Sequence, residues 1–338
     1  MNKNVYKYDE MKRREHMAVR NNAGWYLWTH QVLEVTGSDA AEFLDYMYPN
    51  NISNLKPGHE RYTTMLNERA EIIDDVVIFR MEENRFWVST LFIYYLQTWF
   101  DQHKGSYDVE YKDITSTLQM YAVQGPKSKE MLNALTEAPV DELKFFSFSK
   151  NKIGDITVMI NRAGYTGEKL GYEIYCSAKD SDLLEEKLRE TGKVFDAEEV
   201  TEFQIMAWTL PCEAGFMYMR DLRHTNPYEV GLARSINFEK DFIGKETLLQ
   251  IKENGPTREI LGFTIDESDI FINSKHLGGP GEPVLIDGEE VGRVVKLVYS
   301  YVLEKNIGYL LVNKDILKPG DKIAIRGYMA EIKALPFI

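Results

Sequence analysis

Two adjacent carboxylates, Asp74 and Asp75, sit between apolar runs in MLNERAEIIDDVVIF (Met65–Phe79), with Asn67 inside the segment and Tyr62 just upstream. Neighbouring side chains on a strand point to opposite faces. At the end of such a strand one aspartate can face a pocket while the other faces water or a backbone partner. A carboxylate held that way, partly desolvated and with a raised pKa, suits the handling of one proton or one amine.

The elements that must hold this pair are legible from pattern. VVIF and RFWVST (Arg85–Thr90) read as strands around Asp74. Ser38 before DAAEFLDYMY reads as the cap of an amphipathic helix. LFIYYLQTWF (Leu91–Phe100) is too long and unbroken for one short strand and reads as a helix. LQMYAVQGP from Leu118 is a strand and turn, followed after Pro126 by the helix KSKEMLNAL. KIGDITVMINR is a hairpin, and DSDLLEEKLRETG is a helix capped at Asp180 or Ser181 and stopped at Gly192. Composition shifts at Asn254-Gly255-Pro256, and the rest is short strands with turn chemistry, including Asp287-Gly288 and Lys318-Pro319-Gly320-Asp321. The expected division is 1–253, a large α+β body, and 257–338, a small all-β barrel or sandwich.

Bulk properties narrow the class. At 338 residues the chain exceeds the usual ceiling for one hydrophobic core. Its 44% apolar and 28% charged composition is that of a soluble globular protein, and no apolar run is long enough for a membrane span. The start lacks the apolar core of a secretion signal, and two distant cysteines, Cys176 and Cys212, form no paired motif, so a cytoplasmic setting is expected. A net charge of −13 argues against a nucleic-acid surface. Scattered histidines without close carboxylate partners suggest no metal site.

Six segments, in order, resemble the aminomethyltransferase family, the folate-binding T-protein of the glycine cleavage system and its relatives. They are REHMAVRNNAGWYLWTH (Arg14–His30), the MLN…IIDD block, YAVQGP (Tyr121–Pro126), RAGYTGEKLGYEIY (Arg162–Tyr175), PCEAGFMY (Pro211–Tyr218) and FIGKETL (Phe242–Leu248). The resemblance implies an α+β fold of three lobes arranged as a cloverleaf: two intertwined α+β lobes and a C-terminal β-barrel, with tetrahydrofolate in the central channel. By position Asp74 matches the family's catalytic aspartate beside N5 of the folate. Glu173 matches the carboxylate that grips the pterin edge, with Tyr165, Tyr62 and Asn67 as further cofactor-binding residues. A pterin presents a flat face and an amino-amide edge, which a carboxylate can hold with two hydrogen bonds. N5 must lose a proton as it gains a carbon, which is the task assigned to Asp74.

Departures from the T-protein pattern concern the donor of the one-carbon unit. Pro211 stands where T-proteins carry an arginine, Leu27 where they carry an acidic residue, and Ser89 where an asparagine is expected. GEKLGYE is one residue longer than the usual turn, and VYSYVLEKNIGYLLV (Val298–Val312) replaces a small-residue run. HTNPYEVGLARSINFEKDFIGKE is more similar to the tetrahydrofolate-dependent demethylases of this fold. The expected activity is therefore transfer of a methyl group from a small O-, S- or N-methylated donor to N5. The alternatives are T-protein aminomethyl transfer and a non-enzymatic folate-binding assembly factor. A corrinoid protein or a lipoyl carrier protein is the partner these readings imply. The donor pocket is expected from Trp25, Trp28, His59 and Tyr299, with Tyr26 nearby and His30 as the acid assisting the leaving group.

Overall fold

The computed structural model describes residues 6–28, 30–267, 270 and 281–338. Its strands in chain order are β1 (Gly24–Trp28), β2 (Gln31–Thr36), β3 (His59–Leu66), β4 (Ile72–Glu82), β5 (Arg85–Thr90), β6 (Glu110–Asp113), β7 (Leu118–Gln124), β8 (Phe148–Ile153), β9 (Ile156–Asn161), β10 (Gly171–Ser177) and β11 (Glu198–Glu199). They are followed by β12 (Arg258–Ile265), β13 (Pro283–Ile286), β14 (Glu289–Ser300), β15 (Lys305–Asn313), β16 (Lys322–Ile325) and β17 (Tyr328–Lys333). The helices are α1 (Glu10–Asn21), α2 (Ala40–Met47), α3 (Ile93–His103), α4 (Ser128–Leu135), α5 (Ser181–Gly192), α6 (Leu210–Glu213), α7 (Met219–Leu222) and α8 (Lys245–Asn254).

Three sheets organise these elements: β3-β4-β5-β2-β6, β11-β1-β7-β10-β9-β8 and β13-β14-β15-β12-β17-β16. The first two are crossed by the chain more than once, because β1 belongs to one sheet and β2 to the other. This is the α+β fold expected, and the third sheet curls into a nearly closed barrel.

Each of the first two sheets is apolar on both faces. Leu33, Val76, Ile78 and Val88 form a core with Phe43, Leu44 and Met47 of α2 and Ile93, Leu96 and Phe100 of α3. In the other sheet Trp25, Tyr121, Val123 and Ile174 pack with Met131 and Leu132 of α4 and Leu184 and Leu188 of α5. The remaining faces, carrying Val32, Phe79 and Trp87 on one side and Tyr26, Trp28, Met120 and Tyr175 on the other, meet in one core that continues into the barrel. Burial at this seam is the main reason the lobes stay together.

Most local expectations hold. The helix read over Leu91–Phe100 is α3, and the Asp287-Gly288 turn joins β13 to β14 with φ of 52° and 85°, the left-handed pair a tight hairpin needs. The cap of α2 differs. Asp39 occupies the cap position without a side-chain cap bond, and Ser38 instead donates to Asp108 at 2.8 Å. A tertiary partner has taken the hydroxyl that a local reading gives to the helix.

Candidate functional site

The seam between the two sheets gathers side chains from both. Strand β3 pairs antiparallel with β4, with Glu60 opposite Phe79, Tyr62 opposite Val77 and Thr64 opposite Asp75. Cross-strand neighbours share a face, so Glu60, Tyr62 and Asp75 lie on the side that carries Phe79. In the other sheet Glu173 lies opposite Ala122 of β7 and Asn161 of β9. Ala122 in turn lies opposite Tyr26 of β1. Tyr62, Asp75, Tyr165 and Glu173 are each only half-buried, so the seam is open enough to be reached.

The strand parity decides between the two aspartates. Asp74 falls on the same face as Val76 and Ile78, under α2 and α3, where it is fully buried. Its carboxylate accepts from Thr90 Oγ1 at 2.6 Å and from the Asp75 backbone N–H at 2.9 Å. Thr90 in turn accepts from the Phe92 N–H at the start of α3. The pocket position given above to Asp74 is therefore taken by Asp75, one residue on. Asp75 accepts from the Tyr62 hydroxyl at 3.1 Å. Burial pushes its pKa up to about 6, opposed by the Tyr62 hydrogen bond and reinforced by nearby Asp221. Asp221, which is ion-paired with the buried Lys296 of the barrel, joins Asp75 and Tyr62 in the electrostatic surroundings of Tyr165. The Tyr165 hydroxyl is buried without a hydrogen-bond partner among the described residues.

A second polar group crosses the seam. Asn161 Nδ2 donates to Glu60 Oε2 at 2.6 Å and to Glu173 Oε2 at 3.0 Å. Burial raises the pKa of both carboxyls, Glu173 adds repulsion to Glu60, and Asn161 partly offsets the rise in each. Glu60 Oε1 and Asn161 Oδ1 are buried without a partner among the described residues. Both residues were missed in the sequence, where neither belongs to a recognisable motif.

Around these groups stands an aromatic wall. Trp28 stacks on Phe203 at 6.0 Å and lies 6.4 Å from Tyr165, which in turn lies 6.2 Å from Phe216 and 6.4 Å from Tyr218. Phe203 and Phe216 remain exposed, which leaves apolar faces open on the rim. His30 packs against Trp28, and its Nδ1 lies 2.6 Å from Ser89 Oγ. These two residues border a cavity of about 190 Å³ lined by Trp28, His30, Thr115, Gln119, Met120 and Tyr175 among others. Burial pulls the His30 pKa down to about 3, so its imidazole is neutral at physiological pH. His30 lines this cavity within hydrogen-bonding distance of Ser89.

Four other expectations are redirected by geometry. Trp25 is in β1 but on the opposite face from Trp28, packed against Tyr121 under α5. Asn67 spends its side chain on the β3–β4 turn, accepting from the Arg69 and Glu71 N–H groups at 3.0 Å and donating to the Glu71 carboxylate at 2.8 Å. His59 lies at the outer end of β3, opposite in parity to Glu60, with Nδ1 3.3 Å from the Pro57 carbonyl. Tyr299 is buried in the barrel edge-on to Tyr301. None of the four joins the seam cluster.

The motif residues themselves divide between site and scaffold. Glu213, from PCEAG, accepts from Arg20 Nε at 2.9 Å and Nη2 at 2.7 Å, and also meets His16 Nε2 at 3.1 Å and the Ser300 hydroxyl. Arg20 continues to the Thr166 carbonyl at 3.0 Å and to the Glu168 carboxylate. One buried guanidinium thus ties three of the six segments together. With His16 and the Arg20 guanidinium close by, Glu213 keeps a lowered pKa despite the burial that opposes it.

Comparison with known proteins agrees with this architecture. The family model described as the GCVT N-terminal domain matches residues 3–240, and that of the glycine cleavage T-protein C-terminal barrel domain matches residues 258–338. An aminomethyltransferase of Thermoanaerobacter sp. (strain X514) is 34% identical over 95% of this chain and 86% of its own length. One from Thermotoga maritima is 32% identical over 92% of this chain and 84% of its own. The crystal structure of glycine cleavage system aminomethyltransferase T from Bartonella henselae superposes with a TM-score of 0.83 at 25% identity, covering 97% of this chain and 89% of that one. The chain belongs to the aminomethyltransferase (glycine cleavage T-protein) family, a family of folate-dependent one-carbon transferases.

Proposed function

We propose that this protein moves a methyl group from a small methylated donor to N5 of tetrahydrofolate, and that the donor is an onium compound, a methylsulfonium or methylated ammonium. The observation carrying the reading is that Asp75–Tyr62 on one sheet and Glu173–Asn161 on the other meet the seam, where Asp75, Tyr62 and Glu173 are half-buried and Tyr165 brings an unpartnered hydroxyl. These residues fit a pterin: Glu173 would accept from its amino-amide edge, and Tyr165 would pack on its face. When bound, tetrahydrofolate supplies the nucleophilic N5 amine.

Asp75 then accepts the N5 proton as the new nitrogen–carbon bond forms and the carbon–sulfur or carbon–nitrogen bond of the donor breaks. Tyr62 orients that carboxylate by its hydrogen bond. The electron pair of the breaking bond leaves with a neutral thioether or amine, so no acid is needed. This matches a neutral His30, which could not protonate a departing phenolate. Trp28, Tyr165 and Phe203 offer π faces to a cation, and Asp75 and Asp221 add negative potential.

Purified protein incubated with tetrahydrofolate and a panel of methylsulfonium, methylated ammonium and methoxy-aromatic compounds tests this. 5-Methyltetrahydrofolate should form from an onium donor. Formation of 5,10-methylenetetrahydrofolate from an aminomethyl-lipoyl carrier, with no methyl transfer from any donor, would assign the chain to glycine cleavage instead.

A further inference from the structure

Glu60 has no place in the chemistry above, yet it is one of the most enclosed acids in the molecule. It is 3% exposed and sits on a strand of one lobe, while its hydrogen-bonded partner Asn161, 101 residues away in sequence, is 0% exposed and sits in the other. Asn161 is the sole hydrogen-bond partner of the Glu60 and Glu173 carboxyls among the described residues, and no basic side chain among them pairs with either. The titratable groups facing them are Tyr175 from β10, which interacts with both, and Tyr26 from β1, which interacts with Glu173. Neither tyrosine brings positive charge.

Counting donors and acceptors shows what is missing. Both Nδ2 bonds of Asn161 are spent, while Glu60 Oε1 and Asn161 Oδ1 are buried with nothing to accept from among the described residues. A buried acceptor left unmade costs on the order of 1–3 kcal/mol, and two in one cluster point to a ligand that donates. Two carboxyls this close, with no cation between them, are satisfied either by one proton held between them or by N–H groups brought from outside.

We propose that Glu60 is a second recognition carboxylate: with Glu173, and through Asn161, it forms a cradle across the lobe seam for the edge of a flat heterocycle bearing adjacent N–H donors, and the empty pair shares one proton that the ligand's donors displace. The inference rests on the reading that a pterin binds here, and it adds a selectivity and a proton count to that reading. A ring presenting an amino group beside a ring N–H satisfies the cradle. A ring with a carbonyl oxygen in place of the amino group meets carboxylate oxygens and is rejected.

Calorimetric titration with pterin and with lumazine, its 2,4-dioxo analogue, in buffers of different ionisation enthalpy tests this without turnover. The wild-type protein should prefer pterin by at least about tenfold and release about one proton per pterin at neutral pH. Glu60→Gln keeps the side-chain shape and an acceptor for Asn161. It should shrink the preference by about tenfold and abolish the proton release, with a thermal midpoint close to that of the wild type. Glu60→Asp, which withdraws the charge without removing it, should lose affinity while retaining a preference for pterin. A purely packing role for Glu60 would lower the thermal midpoint and leave discrimination and proton release intact. If wild-type protein binds pterin without discrimination or proton release, or if folded Glu60→Gln matches it in both, the inference is wrong and the proposed function stands. Should wild-type protein bind neither pterin nor tetrahydrofolate, both are wrong.

Discussion

Two buried acidic clusters in this molecule are built in opposite ways. Glu213 is enclosed with the Arg20 guanidinium, His16 and the Ser300 hydroxyl, and its pKa is lowered. Glu60 and Glu173 are enclosed with only an amide between them, and their pKa values are raised. The first cluster has its carboxylate charge-paired without a ligand, and that pairing ties the lobes to the barrel. The second is incomplete without one. Burial alone therefore does not mark a functional acid; burial without compensation does.

The contrast can be broken most directly at Glu213. Glu213→Ala leaves Arg20 without its principal partner and should destabilise the fold by about 3–5 kcal/mol, read by denaturant unfolding, whereas Glu60→Gln should change stability far less. A similar loss from both would erase the distinction. Asp75→Asn should lower turnover by at least about a hundredfold, the usual contribution of a positioned proton acceptor, while tetrahydrofolate binding measured by calorimetry survives. Asp74→Asn should affect stability and leave turnover mostly intact, because Asp74 faces the helices; the reverse pattern would return the proton role to Asp74. Glu173→Ala should weaken tetrahydrofolate binding by about 1–3 kcal/mol.

The pH dependence separates Asp75 from Glu213 by sign. Asp75 has its pKa raised to about 6 in the fold, from an ordinary value of 3.8. Its protonated form is favoured by folding, so its stabilising contribution is full below the unfolded value and is lost as pH rises through about 6. Glu213, lowered from 4.5, contributes above that value and loses its contribution as pH falls through its folded pKa. The thermal midpoint of ligand-free protein should therefore rise as pH drops from 7 toward 5, then fall below about 4.5. Asp75→Asn should reduce the first slope without removing it, because Asp74 and Glu173, both raised to about 7, and Glu60, also raised, act in the same direction. Turnover should run the other way, increasing with pH through about 6 as Asp75 ionises, a limb that Asp75→Asn removes.

Much of this was readable from residue order. The helices over α3, α4 and α5 and the Asp287-Gly288 hairpin follow from periodicity and turn chemistry. The side of the seam on which each residue stands does not. In IIDDVVIF the set Ile72, Val76, Ile78 and the set Ile73, Val77, Phe79 are equally apolar, because β4 is covered on one face by helices and on the other by the second sheet. Alternation cannot then say which aspartate faces the pocket. Trp25 and Trp28 pose the same problem, being separated by an odd step on a strand buried on both sides. Asn67 and His59 flank Tyr62 in sequence, but turn geometry and strand parity turn them elsewhere.

Family membership, the alternation of apolar residues and the acids available for proton chemistry are properties of the linear order, since motif spacing and side-chain type survive without coordinates. Which acid is compensated is not such a property. Glu213 meets Arg20 across 193 positions, and Glu60 reaches Asn161 across 101, only when two sheets stack face to face and the barrel closes over α6. Desolvation and charge pairing depend on distance in space, and that packing alone makes one acid a brace and leaves the other waiting for a ligand.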